Sequence, residues 1–336
     1  MSVVLMSGSA GALGALAIRD FAASGYRVVV LDHAPVDRSP RIVRPSGEYR
    51  HPPALRALFR RYGPDIAAVI HQVSAHSHVD DAQGRDGAPL VERTQTLLEG
   101  VRDFSPSAAF IYCSDRRVYG ANVLDLPLHE HPTRWDIASG HRYEEGIGED
   151  LPLASGQSWS RDAWLAMLDR HVQTFGASLG LNTACFRLGS VSGPPRQAAA
   201  SSGLLGGIVD RAMLRQPYVV RGHKGKQLRD VIHVQDVVHA FAAYVRRPRP
   251  GSVYNLGGGR HAHLSLREAV SLAEAITGHR LAIDYQDRTD AGSPAWWVSS
   301  CAAFRADYPA WQPTYDVVSM MDEWYDVRRS SPSTHS

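Results

Sequence analysis

Short apolar runs recur through the first half of the chain, separated by stretches in which apolar residues return at helical spacing. Val3 to Met6, Val28 to Leu31, Ile66 to Ile70, Phe110 to Cys113 and Thr183 to Leu188 read as strands covered on both faces, the mark of a parallel sheet. Residues 12–24, 52–62, 88–103 and 160–179 lie between them and read as helices. The alternation predicts an α/β chain built on a doubly wound parallel sheet, with ligands above the carboxyl ends of its strands. After Gly193-Pro-Pro the pattern changes to a small-residue loop at 197–203, a helix near 204–215, a short strand at Tyr218 to Val220, a Gly-Lys turn, a helix near 265–277 and the pair Trp296-Trp297. The expected organisation is a first domain over 1–190, with segments near 229–258 returning to it, a smaller C-terminal substrate-binding lobe over 191–327, and a frayed Ser/Pro-rich tail from Arg328 onward.

Composition narrows the partners. With 336 residues, 44% hydrophobic and 21% charged, the chain can bury a full core. A formal net charge of +2, with arginines scattered along the sequence, argues against nucleic acid or an anionic membrane as partner and for a small molecule. No apolar run approaches the ~18 residues of a membrane helix, and the first strand begins at residue 3 without a charged leader, so a cytoplasmic protein is expected. Cys113, Cys185 and Cys301 are odd in number and sit among apolar neighbours, as reduced packing residues do. His76, His78, Asp80 and Asp81 share one loop, but their spacing matches no common ligand set, so no metal is expected.

Chemistry enters at Gly8-Ser-Ala-Gly11-Ala-Leu-Gly14, between the first strand and an alanine-rich helix. Such a turn bends tightly at the first glycine, lets a pyrophosphate approach at the second, and packs helix on strand at the third, with phosphate at the helix N-terminus beside Ala12 and Leu13. Asp32 follows the second strand, where a carboxylate accepts from a ribose 2′-hydroxyl and repels a 2′-phosphate. The dinucleotide is therefore expected to be NAD.

At this point the chain resembles the extended short-chain dehydrogenase/reductases, a Rossmann-like class, and within them the NAD-dependent epimerases and dehydratases of nucleotide sugars. Gly47-Glu48-Tyr49-Arg50 looks like a segment that meets the adenine, and Val118-Tyr119-Gly120 matches a signature after the fifth strand. Gly222 to Asp230, Ile232-His233-Val-Gln-Asp236, Tyr254-Asn-Leu-Gly-Gly-Gly-Arg260 and Tyr308-Pro-x-Trp311 are similar to the CDP-paratose 2-epimerase (CDP-tyvelose-forming) branch. The resemblance implies transient oxidation of a sugar carbon by NAD, with Tyr218, Arg229 and Ser190 on the substrate side. It also implies a homodimer, with the helices near 88–103 and 160–179 paired across a twofold axis.

The resemblance breaks at the catalytic positions. Family members carry a Ser or Thr where this chain has Asp115, and a Tyr-x-x-x-Lys pair that falls on Arg161 and Leu165 here. The only lysines are Lys224 and Lys226, so that pair cannot exist. Arginine cannot accept a proton, which makes Asp115 the first candidate base and Arg161 a source of positive charge. His71, at the end of the fourth strand, and Tyr143, with Ile147 in the Lys place behind it, are further acid/base candidates, each with a plain structural alternative. Arg116 and Arg117 replace an acid/base pair of the dehydratases and read either as a phosphate clamp or as a solvated pair. Two functions follow: an epimerase or dehydratase-like enzyme on a nucleotide sugar or nucleoside with an altered acid/base set, or a nucleotide-binding protein that lost the chemistry. A net sugar dehydrogenase is a third reading.

Overall fold

The computed structural model describes residues 1–9, 11–32, 39–45, 51–72, 88–154, 161–194, 203–286 and 293–330. The chain divides into two compact units: residues 1–120, 152–188 and 237–254 form the first, and residues 121–151, 189–236 and the chain from Asn255 onward form the second.

The first unit is built on a seven-stranded sheet. Its strands are β1 (Val3–Ser7), β2 (Arg27–Val30), β3 (Ile42–Val43), β4 (Ile66–Gln72), β5 (Ala109–Asp115), β6 (Thr183–Leu188) and β7 (Ser252–Leu256). Their spatial order is β7-β6-β5-β4-β1-β2-β3, and the five pairs from β6 across to β3 are parallel. Val4, Leu5, Met6, Val28, Val29, Val30, Val69 and Ile70 are each at 0% exposure, as the continuous apolar runs require of strands covered on both faces. The covering helices include α1 (Ala12–Ala23), α2 (Pro52–Tyr62), α3 (Ala88–Phe104) and α4 (Arg161–Leu179). Two glycines set how close these layers come. A Cβ on Gly100 of α3 would stand 2.2 Å from the Phe59 ring of α2, and one on Gly176 of α4 would stand 1.7 Å from Thr183 Oγ1 of β6. Phe186 of β6 packs on Phe241, Tyr244 and Tyr254 with ring centroids 5.6 to 5.7 Å apart, fixing the helix Val234–Arg246 and β7 onto the sheet.

The second unit centres on the strand Leu228–His233, which pairs antiparallel with His263–Ser265 and parallel with Trp296–Trp297 and Ser190–Ser192. Asp230 on that strand is at 0% exposure and accepts the amides of Gly259 (3.1 Å) and Ser299 (2.9 Å). A Cβ on Gly257 would lie 2.1 Å from Asp230 Oδ2, so that carboxylate leaves room only for glycine there, while one on Gly258 would lie 2.1 Å from the Val231 carbonyl. Asp236 accepts from Thr314 N and Oγ1 at 3.0 and 2.7 Å, while its carbonyl takes the Trp311 indole N–H at 2.9 Å. Around this frame the helices Gly203–Met213, Leu266–Thr277 and Val317–Ser330 bury Ile208, Val209, Ala269, Ala273, Met320, Met321 and Trp324.

Two features depart from the sequence reading. Residues 121–151 cluster with the second unit, because the hairpin Leu128–Glu130/Trp135–Ile137 is tied there: Trp135 N donates to the Lys226 carbonyl (2.8 Å), and Asp136 accepts from Arg260 (3.0 Å) and the Trp296 indole (2.8 Å). Arg328, expected at the start of a frayed tail, lies in the helix Val317–Ser330 and pairs with Asp210 at 2.7 Å. A partly buried carboxylate holds that last turn in place.

Candidate functional site

The turn after β1 has one steric reason for each glycine. Gly8 has φ +75°, and a Cβ there would lie 1.9 Å from the Gln72 carbonyl at the end of β4. Gly11 has φ +148° and open space where its Cβ would be, so a ligand can approach the bare backbone. A Cβ on Gly14 would stand 2.3 Å from the Ser9 carbonyl, so α1 closes directly onto the turn. Gly11 is the N-cap of α1 and makes no side-chain capping bond, and the first turn carries no acid. The amides of Ala12 and Leu13 therefore begin a helix whose positive end is free of a capping anion. Asp32 closes the other side, accepting Ser9 N at 2.6 Å and Ser9 Oγ at 2.8 Å. Ser9 was not singled out in the sequence, where nothing marks it as the residue that holds Asp32 over the turn. This cradle fits a dinucleotide: Gly8, Gly11, Ala12, Leu13 and Gly14 would face its diphosphate and Asp32 its ribose. Glu48 and Tyr49 lie outside the described residues, as do His76, His78, Asp80 and Asp81.

Along the same edge, β5 ends in Asp115, which is a quarter exposed. Its Oδ1 accepts the Arg117 backbone N–H (2.9 Å) and Nε–H (3.2 Å), and its Oδ2 accepts from Arg117 at 3.3 Å. The Asp115 carboxylate thus has a partner in Arg117. Asp115 caps the turn that begins at Arg116 and orients Arg117 as it does so. Sequence offered a faint signal for this, an Asp two residues before an Arg at a strand end.

Beneath that edge lies a buried ion pair. Arg187 of β6 and Asp169 of α4, at 3% and 0% exposure, are joined by two bonds of 2.7 and 3.1 Å, and Arg187 also donates to the Tyr119 hydroxyl at 2.9 Å. Burial opposes the Arg187 charge, but the bonds and charge of Asp169 outweigh it and raise the Arg187 pKa. Tyr119 of Val118-Tyr119-Gly120 is the third member of this lock. Arg161 opens α4, and Leu165, one turn on, is at 3% exposure.

His71 is at 1% exposure, and both its ring nitrogens are engaged. Nδ1 meets Ser7 Oγ at 2.6 Å and Nε2 meets Thr94 Oγ1 at 3.0 Å; Thr94 gives its own proton to the Leu90 carbonyl, so Nε2 must be the donor. Burial first, and the Arg93 charge second, push the His71 pKa down to about 3. The ring is a neutral strut between β1 and α3.

In the second unit Tyr143 is at 6% exposure, and its hydroxyl accepts from Arg142 and donates to Asp150 at 3.3 Å. Burial raises its pKa against the opposing bond from Arg142, so the phenol stays protonated near neutral pH. Ile147 behind it is at 0% exposure. Arg229, at 7%, donates to the carbonyls of Leu228 (2.7 Å) and Pro294 (2.5 Å) and to Ser293 Oγ (3.4 Å). Tyr218 starts the strand Tyr218–Arg221, and burial raises its pKa. Ser190 pairs with Val231 on the central strand. Among the described residues no three metal-ligating side chains converge, and no helix is long and apolar enough to cross a membrane.

The glycine turn, the capping-free helix start and Asp32 define a Rossmann-like dinucleotide-binding protein. Residues 4–257 match the NAD dependent epimerase/dehydratase family, to which the chain belongs. Over 238 residues it is 29% identical to CDP-paratose 2-epimerase of Salmonella typhi, covering 68% of each chain. It is 24% identical to dTDP-glucose 4,6-dehydratase of Xanthomonas campestris pv. campestris (strain B100), over 97% of this chain and 93% of the relative. The UDP-glucuronic acid 4-epimerase of Bacillus cereus, solved with UDP-glucuronic acid and NAD, superposes with a TM-score of 0.75 at 19% identity, covering 98% and 99% of the two chains, which is a likeness of fold. The dinucleotide of this family is NAD.

Proposed function

We propose that the protein is an NAD-dependent epimerase or dehydratase-like enzyme that acts on a nucleotide-linked sugar or a nucleoside through an altered acid/base set. NAD, when bound, supplies reversible hydride transfer to and from a sugar carbon. The chain's own part is to hold that cofactor on the glycine turn and to present a proton acceptor at the end of β5. What supports this reading is the glycine turn with Asp32 held beside it, together with Asp115, anchored through Arg117 at the end of β5, where the resemblance puts a hydroxyl. A carboxylate fixed this way keeps lone pairs for a substrate hydroxyl, and taking that proton would weaken its pairing with Arg117. In this reading Asp115 is the base, Arg161 contributes positive charge from the start of α4, and Arg116 contacts substrate phosphate. Arg229, Tyr218 and Ser190 are the nucleotide-binding residues of this reading. His71 and Tyr143 fit positioning better than proton transfer, since the first is neutral and enclosed and the second stays protonated.

The pairing of Asp115 with Arg117 and the apolar Leu165 also favour a second reading, a binder of NAD and nucleotide that does no chemistry. Mass spectrometry of what co-purifies with the chain, followed by NMR of candidate nucleotide sugars incubated with it in deuterated water, separates the two. Deuterium entry or a new epimer or elimination product supports the enzyme; NAD with an unchanged sugar across the panel supports the binder. We further propose a homodimer through α3 and α4, where Met167 and Leu179 are 41% and 50% exposed. Light scattering that gives only a monomer at micromolar concentration would oppose it.

A further inference from the structure

Arg93 in α3 has no part in the reading above, yet its side chain runs to the cofactor edge. Its Nη2 reaches the carbonyl of Leu31, just past the end of β2 and next to Asp32, at 3.4 Å. Its neighbour Thr94 holds His71 near the end of β4. In the sheet, β1 lies between those strands: Leu31 N bonds the Met6 carbonyl at 2.8 Å on one side, and Ser7 pairs with His71 on the other. The half-buried Arg93 guanidinium therefore lies against the Leu31 carbonyl, one residue before Asp32, on the β2 side of this edge. Its field on His71, second only to burial, agrees with that placement.

The charge balance at this spot gives the guanidinium a task. The diphosphate of a dinucleotide brings two negative charges to the glycine turn, and Asp32 brings a third within the same cradle. The helix start and the bare amides offer only partial charge. His71 cannot help, because its Nδ1 accepts from Ser7 and the ring stays neutral. Arg93 brings a full positive charge to the Leu31 end of this edge, next to Asp32, while the space over Gly11 stays open.

We infer that Arg93 is a dinucleotide-binding residue, which holds the diphosphate of NAD against the repulsion of Asp32. The inference rests on the NAD reading and adds to it a residue outside the glycine turn. It assigns Arg93 to the diphosphate and not to a 2′-phosphate, because Asp32 stands at the end of β2 fixed by two bonds from Ser9.

Calorimetric titration of the full chain with NAD, NADP, ADP-ribose and adenosine tests this, using the original chain, Arg93→Gln and Arg93→Lys. A lost charge several ångströms from the ligand at intermediate dielectric should weaken NAD and ADP-ribose about tenfold in Arg93→Gln. Adenosine, which lacks the diphosphate, should change less than about twofold, because the effect falls off with charge and distance. Arg93→Lys should recover most of the loss, and the fall of NAD affinity with added salt should be shallower in Arg93→Gln than in the original chain. Unchanged NAD affinity in Arg93→Gln would overturn the inference. Equal weakening of adenosine would also overturn it, since the arginine would then act through the shape of the site. A loss confined to NADP would do the same by assigning Arg93 to a 2′-phosphate. If the original chain bound no dinucleotide, the NAD reading itself would fail, a result distinct from all of these. Arg93→Lys keeps the test open should Arg93→Gln fold poorly.

Discussion

The turn after β1 and the turn after β5 leave the same edge of one sheet, yet they preserve different things. At the first, the demand is steric. Gly8 and Gly14 cannot carry a Cβ, because carbonyl oxygens stand 1.9 and 2.3 Å from where it would lie. At the second, the demand is chemical: in the proposed reading, Asp115, Arg161 and Leu165 stand where the resemblance puts the hydroxyl, tyrosine and lysine of the family. Below that edge the Asp169–Arg187–Tyr119 lock ties α4 to β6. A cradle made of backbone tolerates few substitutions, whereas a reaction edge made of side chains can change while its support remains.

The sharpest way to break this comparison is to fill the cradle. Gly8→Ala puts a methyl group against the Gln72 carbonyl at φ +75° and should abolish measurable NAD binding in calorimetry. Retained affinity would show that the turn is not the cofactor site. Next in size is the lock: Arg187→Met leaves the fully buried Asp169 carboxylate without its arginine and should cost roughly 3–5 kcal/mol, read as a lower midpoint in urea unfolding. A loss below about 1 kcal/mol, the size expected of an exposed pair, would make the lock incidental.

A third, smaller effect concerns pH. His71 is neutral when folded, with its pKa down at about 3 from the ordinary 6.5. Between those values the unfolded chain binds a proton that the folded chain does not, so stability is present above about pH 6.5 and falls as the pH drops. By pH 5 the loss from this one residue should be about 2 kcal/mol. Thermal unfolding at pH 5 and 7.5 should show the original chain losing more stability than His71→Gln; parallel losses would place the pH sensitivity elsewhere. Smallest is Ser9→Ala, which removes the hydroxyl that orients Asp32. It should reduce the preference for NAD over NADP about threefold to tenfold, the size of one ordinary hydrogen bond of about 1 kcal/mol, because the Ser9 amide still holds Asp32.

Much of the fold was legible in the chain. Buried parallel strands must be apolar throughout, so Val3–Ser7, Ile66–Gln72 and Thr183–Leu188 announce themselves, and glycines forced by sterics announce the cofactor turn. What stayed hidden depends on partners distant in sequence or on local turn geometry. The hairpin at 128–137 looks like a polar loop until Asp136 is seen accepting from Arg260 and Trp296. The C-terminal motifs pointed to the family, but the chain alone does not say that Asp230 and Asp236 are fasteners of the second unit. His71 has the intrinsic pKa of a catalyst, and only Ser7, Thr94 and its burial show it to be a strut. The bond of Asp115 to the Arg117 amide stayed hidden because an Asp that caps its own turn leaves little trace in the sequence.

The most direct measurement follows the bound NAD itself. Absorbance of reduced nicotinamide, recorded by stopped flow after mixing with the nucleotide sugar found to co-purify, reports hydride transfer in the original chain and in Asp115→Asn. With equal NAD affinity in both proteins, a transient in the original chain that slows by about 10²–10⁴ in Asp115→Asn is expected if the carboxylate is the base. Transients of equal rate in the two proteins would contradict the assignment of the reaction to Asp115.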